Sequence, residues 1–480
     1  MPSRTLTDNA DTAASSSSGR SQQISGANLY ITMIAAVAAM GGLLFGFDTG
    51  VIAGAMLYIV PDLHLGPGGQ GLVVSAVTFG ALFGALAGGT SADAIGRRWT
   101  NIAAGLSFII GSILSALAPN LEVLIASRII IGAAIGLTSV AAPMYIAELA
   151  PRRQRGRLVS LFQLAVTLGI LVSYLVDRAL APTQAWRWML GLAFVPGTLL
   201  VLGMIPLPES PRWLMKSGAE DEARRVLALL RSPAQVEADM REIRDDLTHN
   251  QHSDWRELLM PGIRPALLIG IGLAVFQQVT GINTIIYYAP EIFQKAGFDK
   301  GTTALAATIG IGVVNVLSTL IAMWLVDRLG RKPLLLAGLG GMTASLATLG
   351  VAQRFGSTLG IEPRSLAPIT VGFIGLYIVC FAFSMGPIVW LMISEIFPNQ
   401  SRARASAIST SANWMANFLV SLSFPVLQAA MGPSLWFLYA AMGLGAIMFV
   451  IGYVPETKGK SLEEISLQWR VQPAVLAART

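Results

Sequence analysis

The chain has 480 residues, 54% of them hydrophobic and only 12% charged, about half the charged share of an ordinary soluble domain. Its formal net charge of +6 needs no nucleic-acid partner, because the cations fall where a cytoplasmic lipid leaflet meets them. Apolar runs long enough to cross about 30 Å of hydrocarbon recur along the whole length, and no period-two alternation accompanies them, which excludes a β-barrel.

In chain order, residues 1–27 are polar and carry the run Ser15-Ser16-Ser17-Ser18, the composition of a disordered tail. No short apolar core with a cleavage site follows, so the first spanning helix is expected to act as the uncleaved targeting signal. Twelve spans are predicted at about 30–58, 70–92, 99–119, 121–147, 157–178, 187–206, 265–294, 303–326, 333–353, 367–394, 404–428 and 434–454. The first contains GGLLFGFDTGV, with Asp48 at membrane depth. A carboxylate there is costly and is usually kept for function. The second span carries TFGALFGALAGG, whose Gly80, Gly84 and Gly88 form a small-residue face for close helix packing. The fourth carries Arg128, whose depth from the outer side brings it within reach of Asp48. Residues 207–262 are hydrophilic, with helix-forming stretches, and read as a cytoplasmic linker that either clamps the halves or tethers them.

The second half restates the first. DAIGRR at Asp93–Arg98 returns as DRLGRK at Asp327–Lys332, and ELAPRRQR at Glu148–Arg155 returns as EIFPNQSR at Glu395–Arg402. PES at Pro208–Ser210 returns as PET at Pro455–Thr457. Each copy sits at the same end of the corresponding span, so two six-helix halves, 28–206 and 263–454, share one orientation. With the N-terminus inside, the outer loops hold only Arg178, Arg187, Lys295, Lys300, Arg354 and Arg364. That bias places both termini, including the tail 455–480, in the cytoplasm.

Amides are scarce within the spans, so their positions are informative: Gln163, Gln277, Gln278, Asn283, Asn315, Asn413 and Asn417. One such amide is as well explained by an interhelical hydrogen bond. Seven favour a polar cavity, since an amide both donates to and accepts from a hydroxyl-rich ligand. Gln278 and Asn283 are five residues apart, about 140° around a regular helix, so they converge only if the helix breaks, and Gly281 is the candidate break. Cys380 is the single cysteine and implies no disulfide. The three histidines lie in loops, and GKS at Gly459–Ser461 lacks the upstream glycine of a phosphate loop. No metal, ATP or other cofactor site is expected, and no enzyme constellation is visible.

GGLLFGFDTGVIAG, DAIGRR, PESPRWL, QQVTGINTIIYYAPEIF, DRLGRK, SEIFPNQSR and PETKGKSLEEI together resemble the sugar porter family of the major facilitator superfamily, over Gly41–Ile465. Among its members the bacterial and plant hexose–proton symporters are most similar. Ala403 departs from the glycine usual after that arginine and puts only the local turn in doubt. The resemblance implies an all-α membrane fold of two six-helix halves and a monosaccharide site between them. It assigns sugar contacts to Gln163, Gln277, Gln278, Asn283, Asn315, Trp390 and Asn413, with Phe45 and Tyr287 lining or closing the cavity. An aliphatic residue at Ile170 with Asn413 is the hexose rather than the pentose pattern. Asp48 and Arg128, the charges deep in the spans, are expected as the proton-coupling pair; a static buried pair holding the first and fourth helices together is the alternative. Asp93, Arg97, Arg98, Glu148, Arg155, Glu209, Asp327, Arg331, Lys332, Glu395, Arg402 and Glu456 are implied as a cytoplasmic latch; ordinary surface charge is the competing account. The expected activity is proton-coupled hexose symport by a monomer in the bacterial cytoplasmic membrane, with sugar and proton as co-substrates. An uncoupled facilitator and a sugar sensor that does not transport are the alternatives.

Overall fold

The structure, a computed structural model, describes residues 7–151, 154–249, 258, 260, 263–298, 302–397 and 402–458, with side chains from residue 29 onward. The first half comprises α1 (Thr7–Asp62), α2 (Pro67–Ile95), α3 (Arg97–Ala116), α4 (Leu121–Leu149), α5 (Arg155–Leu180), α6 (Trp186–Gly191) and α7 (Phe194–Met204). Three linker helices follow, α8 (Pro211–Lys216), α9 (Glu220–Leu230) and α10 (Pro233–His249). The second half runs α11 (Arg264–Val279), α12 (Ile282–Lys295), α13 (Thr302–Leu329), α14 (Arg331–Phe355), α15 (Pro363–Phe383), α16 (Met385–Glu395), α17 (Arg402–Met431) and α18 (Leu435–Tyr453).

Among the described residues, eleven helical stretches are long and apolar enough to cross a membrane, and the last of them, Arg404–Tyr453, holds two spans. They are α17 and α18, joined by a 3-10 turn at Gly432–Ser434. The pairs α6/α7, α11/α12 and α15/α16 each make one broken span, so all twelve predicted spans are present. One expectation is corrected. The polar segment read as a disordered tail is helical from Thr7; adding residues to an existing helix needs no new nucleus, and this Ala/Ser-rich stretch contains no proline after Pro2.

The glycines of the first span explain how it packs. Gly42, Gly46, Gly50 and Gly54 recur every four residues and face α5 so closely that a Cβ on Gly46 would sit 1.9 Å from the carbonyl oxygen of Val166. The expected face on α2 behaves likewise: a Cβ on Gly84 would lie 2.1 Å from the carbonyl oxygen of Ala133 on α4. Where lipid tails offer no hydrophobic drive, such close backbone approach supplies the packing energy. The two halves meet along α2 with α17, α5 with α13, and α1 with α12. The linker helices dock on the first half. Trp213 Nε1 donates to Asp93 O at 3.0 Å, and Arg231 Nη2 donates to Leu149 O at 3.1 Å.

Candidate functional site

The seventh span breaks where expected. Gly281 has φ +97°, α11 ends at Val279 and α12 starts at Ile282. The break turns Asn283 back toward the preceding turn, and its Nδ2 donates to Gln278 Oε1 at 2.7 Å. Gln278 Nε2 in turn donates to Asn413 Oδ1 at 3.1 Å, and Asn413 Nδ2 donates to Gln277 Oε1 at 2.7 Å. Gln277 Nε2 reaches the carbonyl of Met385 at 2.7 Å, at the break between α15 and α16. Tyr377 OH holds the frayed carbonyl of Thr280 at 3.0 Å. Four amides from α11, α12 and α17 therefore form one connected array at two helix breaks. Each satisfies its neighbour, which offsets the cost of burying these polar groups.

The remaining expected contacts are placed less tightly. Gln163 on α5 is half-buried and Asn315 on α13 is buried, and neither side chain enters a described hydrogen bond with the array. Trp390 on α16 is 38% exposed and has no described aromatic or hydrogen-bond partner. Phe45 from the first half packs on Trp414, with ring centroids 5.3 Å apart. Trp414 escaped the sequence reading, although it directly follows Asn413. Its ring is 4% exposed, and its buried Nε1 finds no partner among the described residues.

Asp48 and Arg128 do meet. Nη1 and Nη2 lie 3.4 and 3.3 Å from Oδ1 and Oδ2, and the two residues are 2% and 1% exposed. Arg128 Nε is anchored on Val73 O at 2.9 Å, which ties the pair to α2. Tyr287 lies one turn beyond Asn283 on α12, and its hydroxyl accepts from Asn417 Nδ2 at 3.5 Å.

At the end of the bundle expected to face outward the halves are joined. Gln70 Nε2 on α2 donates to Glu291 Oε2 on α12 at 2.6 Å, and Tyr174 OH on α5 donates to Ile286 O at 3.1 Å. At the opposite end the ion pairs described below join residues of the same half. In the first, Arg97 meets Asp93 and Glu148, both at 3.0 Å. Glu209 accepts from the backbone N–H of Arg97 at 2.9 Å and of Arg98 at 3.1 Å, and Arg98 Nε donates to Met204 O at 3.1 Å. In the second, Arg331 meets Glu395 at 3.0 Å, and Glu456 accepts from the backbone N–H of Arg331 and Lys332, both at 3.0 Å. Arg155 is exposed, and the side chains of Asp327 and Arg402 lie outside the described residues.

Residues 34–469 match the family described as Sugar (and other) transporter. The glucose transporter GlcP of Staphylococcus epidermidis is 41% identical over 445 residues, covering 92% of this chain and 98% of its own. The galactose-proton symporter of Escherichia coli is 41% identical over 432 residues, covering 89% and 92%. The inward open conformation of the xylose transporter XylE from E. coli superposes with a TM-score of 0.79 at 33% identity, covering 92% of this chain and 100% of that one. The chain belongs to the sugar porter family of the major facilitator superfamily.

Proposed function

We propose that the protein carries a monosaccharide, a hexose such as glucose or galactose, into the cell together with a proton. The observation that carries this reading is the buried array Gln277–Gln278–Asn283–Asn413 in the second half, together with the buried Asp48–Arg128 pair in the first. Sugar hydroxyls take over the amide hydrogen bonds, while Trp414, Phe45 and Trp390 offer aromatic faces to the ring's C–H groups. Ile170 together with Asn413 supports a hexose in preference to a pentose. A carboxylate held by an arginine at 3.3 Å is a switch with two charge states. Protonation releases Arg128, so the proton and the sugar share one conformational equilibrium, and by linkage each strengthens the binding of the other. A carried proton gains about 2.3 kcal/mol per 100 mV of membrane potential, enough to accumulate sugar.

The two halves rock about the central site. The joined outer ends of α1, α2 and α12 make this the arrangement in which the outer side is shut, and the charged clusters on the cytoplasmic side act as the opposing latch. The working unit is one chain in the cytoplasmic membrane, with both termini inside. The test is purified protein in liposomes, given labelled hexoses and pentoses under an imposed pH gradient. Hexose concentrated inside when the outside is acid is the expected result. Equilibration without accumulation points to an uncoupled facilitator, and binding without flux points to a sensor.

A further inference from the structure

A second carboxyl lies buried in the membrane region and takes no part in the Asp48 switch. Asp177 is 0% exposed, about one turn from the end of α5 at Leu180. Its Oδ2 accepts the backbone N–H of Gly54 at 3.1 Å, and its Oδ1 has no partner among the described residues. The fit depends on the glycine, because a Cβ at position 54 would fall 2.4 Å from the Asp177 carboxyl. The titratable and charged neighbours are few. On α1 they are Tyr58, whose hydroxyl is turned to Ala181 O at 3.3 Å, and Asp62, which is paired with Arg187 on α6 at 3.1 Å. Asp48, deeper on α1, is paired with Arg128 of α4. On α5 they are Tyr174 and Arg178, and Arg178 makes no described ion pair with Asp177. The facing membrane segment of α13 has no titratable side chain. A carboxylate with one neutral hydrogen bond and no cation is strongly disfavoured in such a place. The neutral acid is the form that fits.

The position ties that proton to the outer closure. Tyr174, one turn before Asp177, carries the hydrogen bond to Ile286 O on α12 of the other half. Ala53, next to Gly54, lines a cleft of about 190 Å³ shared with Tyr287, Tyr288 and Glu291. Movement of α12 away from α1 opens that cleft to outside water, beside the α1–α5 contact that encloses Asp177. We propose that Asp177 is a positioning residue that senses external pH: it is protonated while the outer side is shut and ionises when the outer side opens and hydrates it. Acid outside then favours closure, in addition to whatever Asp48 contributes. Such a device biases the carrier toward its inward-facing form when the proton gradient is strongest.

Opening is read directly by pulsed spin-label distances, which need no sugar movement and so do not depend on the transport reading. Labels at Val60→Cys on α1 and Gln294→Cys on α12, in a Cys380→Ser background, report the width of the cleft. The ratio of open to shut should rise with pH by up to about tenfold per unit for one linked proton. Asp177→Asn should flatten that slope, leaving only the contribution of other groups. Gly54→Ala displaces the carboxyl and should shift the midpoint of the rise; it also serves if the asparagine variant fails to fold. A pH profile unchanged by either substitution overturns the proposal and leaves Asp177 as a packing group.

Discussion

At membrane depth the two halves answer different problems with different chemistry. Both halves bury serine and threonine hydroxyls; beyond these, the first half buries Asp48, Arg128 and Asp177 at depth. The second instead buries neutral amides: Gln277, Gln278, Asn315, Asn413 and Asn417. The halves are repeats, so fold alone does not require this division. An ion pair changes state with one proton but binds a neutral polyol poorly. Amides do the reverse, donating and accepting at any pH. On the proposed reading, separating them lets sugar affinity and proton affinity be set independently and coupled only across the interface between the halves.

The sharpest break of this comparison is Asp48→Asn. It removes the titratable group and should abolish accumulation against a gradient, measured in liposomes with acid outside. Gradient-driven concentration by the asparagine variant would remove Asp48 from the coupling. Next in size, Gln278→Ala or Asn283→Ala opens the amide array and strands its partners, at about 1–3 kcal/mol each. Calorimetric sugar binding should weaken roughly ten- to hundredfold, and near-parent affinity in both variants would place the sugar elsewhere.

The latches sharpen the contrast on a smaller scale. Glu395→Gln removes the Arg331 pair, worth no more than about 1 kcal/mol in a partly exposed setting. The shift toward the inward-facing form, read by spin labels on the cytoplasmic side, should be at most about fivefold. No shift at all would class the pair as ordinary surface charge.

Glu209 and Glu456 make the smallest and most direct test. They occupy equivalent places, each capping the helix that starts after a positive-φ glycine, Gly96 and Gly330. Burial pushes the Glu209 carboxyl above its ordinary value, although backbone donors at Ser210, Arg98 and Arg97 oppose the rise. Burial also acts on the more open Glu456, but four backbone N–H groups outweigh it and lower that carboxyl below 4.5. The signs are therefore opposite. The stabilisation tied to Glu209 is present below about 4.5 and lost as pH rises through its raised value. That tied to Glu456 is present above about 4.5 and lost as pH falls through its lowered value. In melting curves across pH, Glu209→Gln should flatten the loss of stability as pH rises above about 4.5, and Glu456→Gln the loss as pH falls below it. Identical profiles would mean that the two caps are electrostatically equivalent despite their different burial.

The amino-acid order by itself determined the spans, their shared orientation in two repeats and the glycine at which the seventh span breaks. These follow from local hydrophobicity and backbone freedom, which need no partner. Sequence also singled out Asp48 and Arg128, because any charge in a long apolar run stands out. Asp177 did not stand out, since it falls next to the predicted end of its span, where a charge is ordinary. Only the packing of Gly54 against it shows that it is sealed from water. Trp414 was hidden for a similar reason: a tryptophan in a spanning helix is usually packing, and its unpaired indole N–H is visible only once its neighbours are placed. The linker's docking on the first half and the shut outer side were likewise decided by tertiary structure. Both rest on contacts between residues more than a hundred positions apart, such as Trp213 with Asp93 and Gln70 with Glu291. Local pattern cannot choose among such partners; the shape of the two assembled halves can.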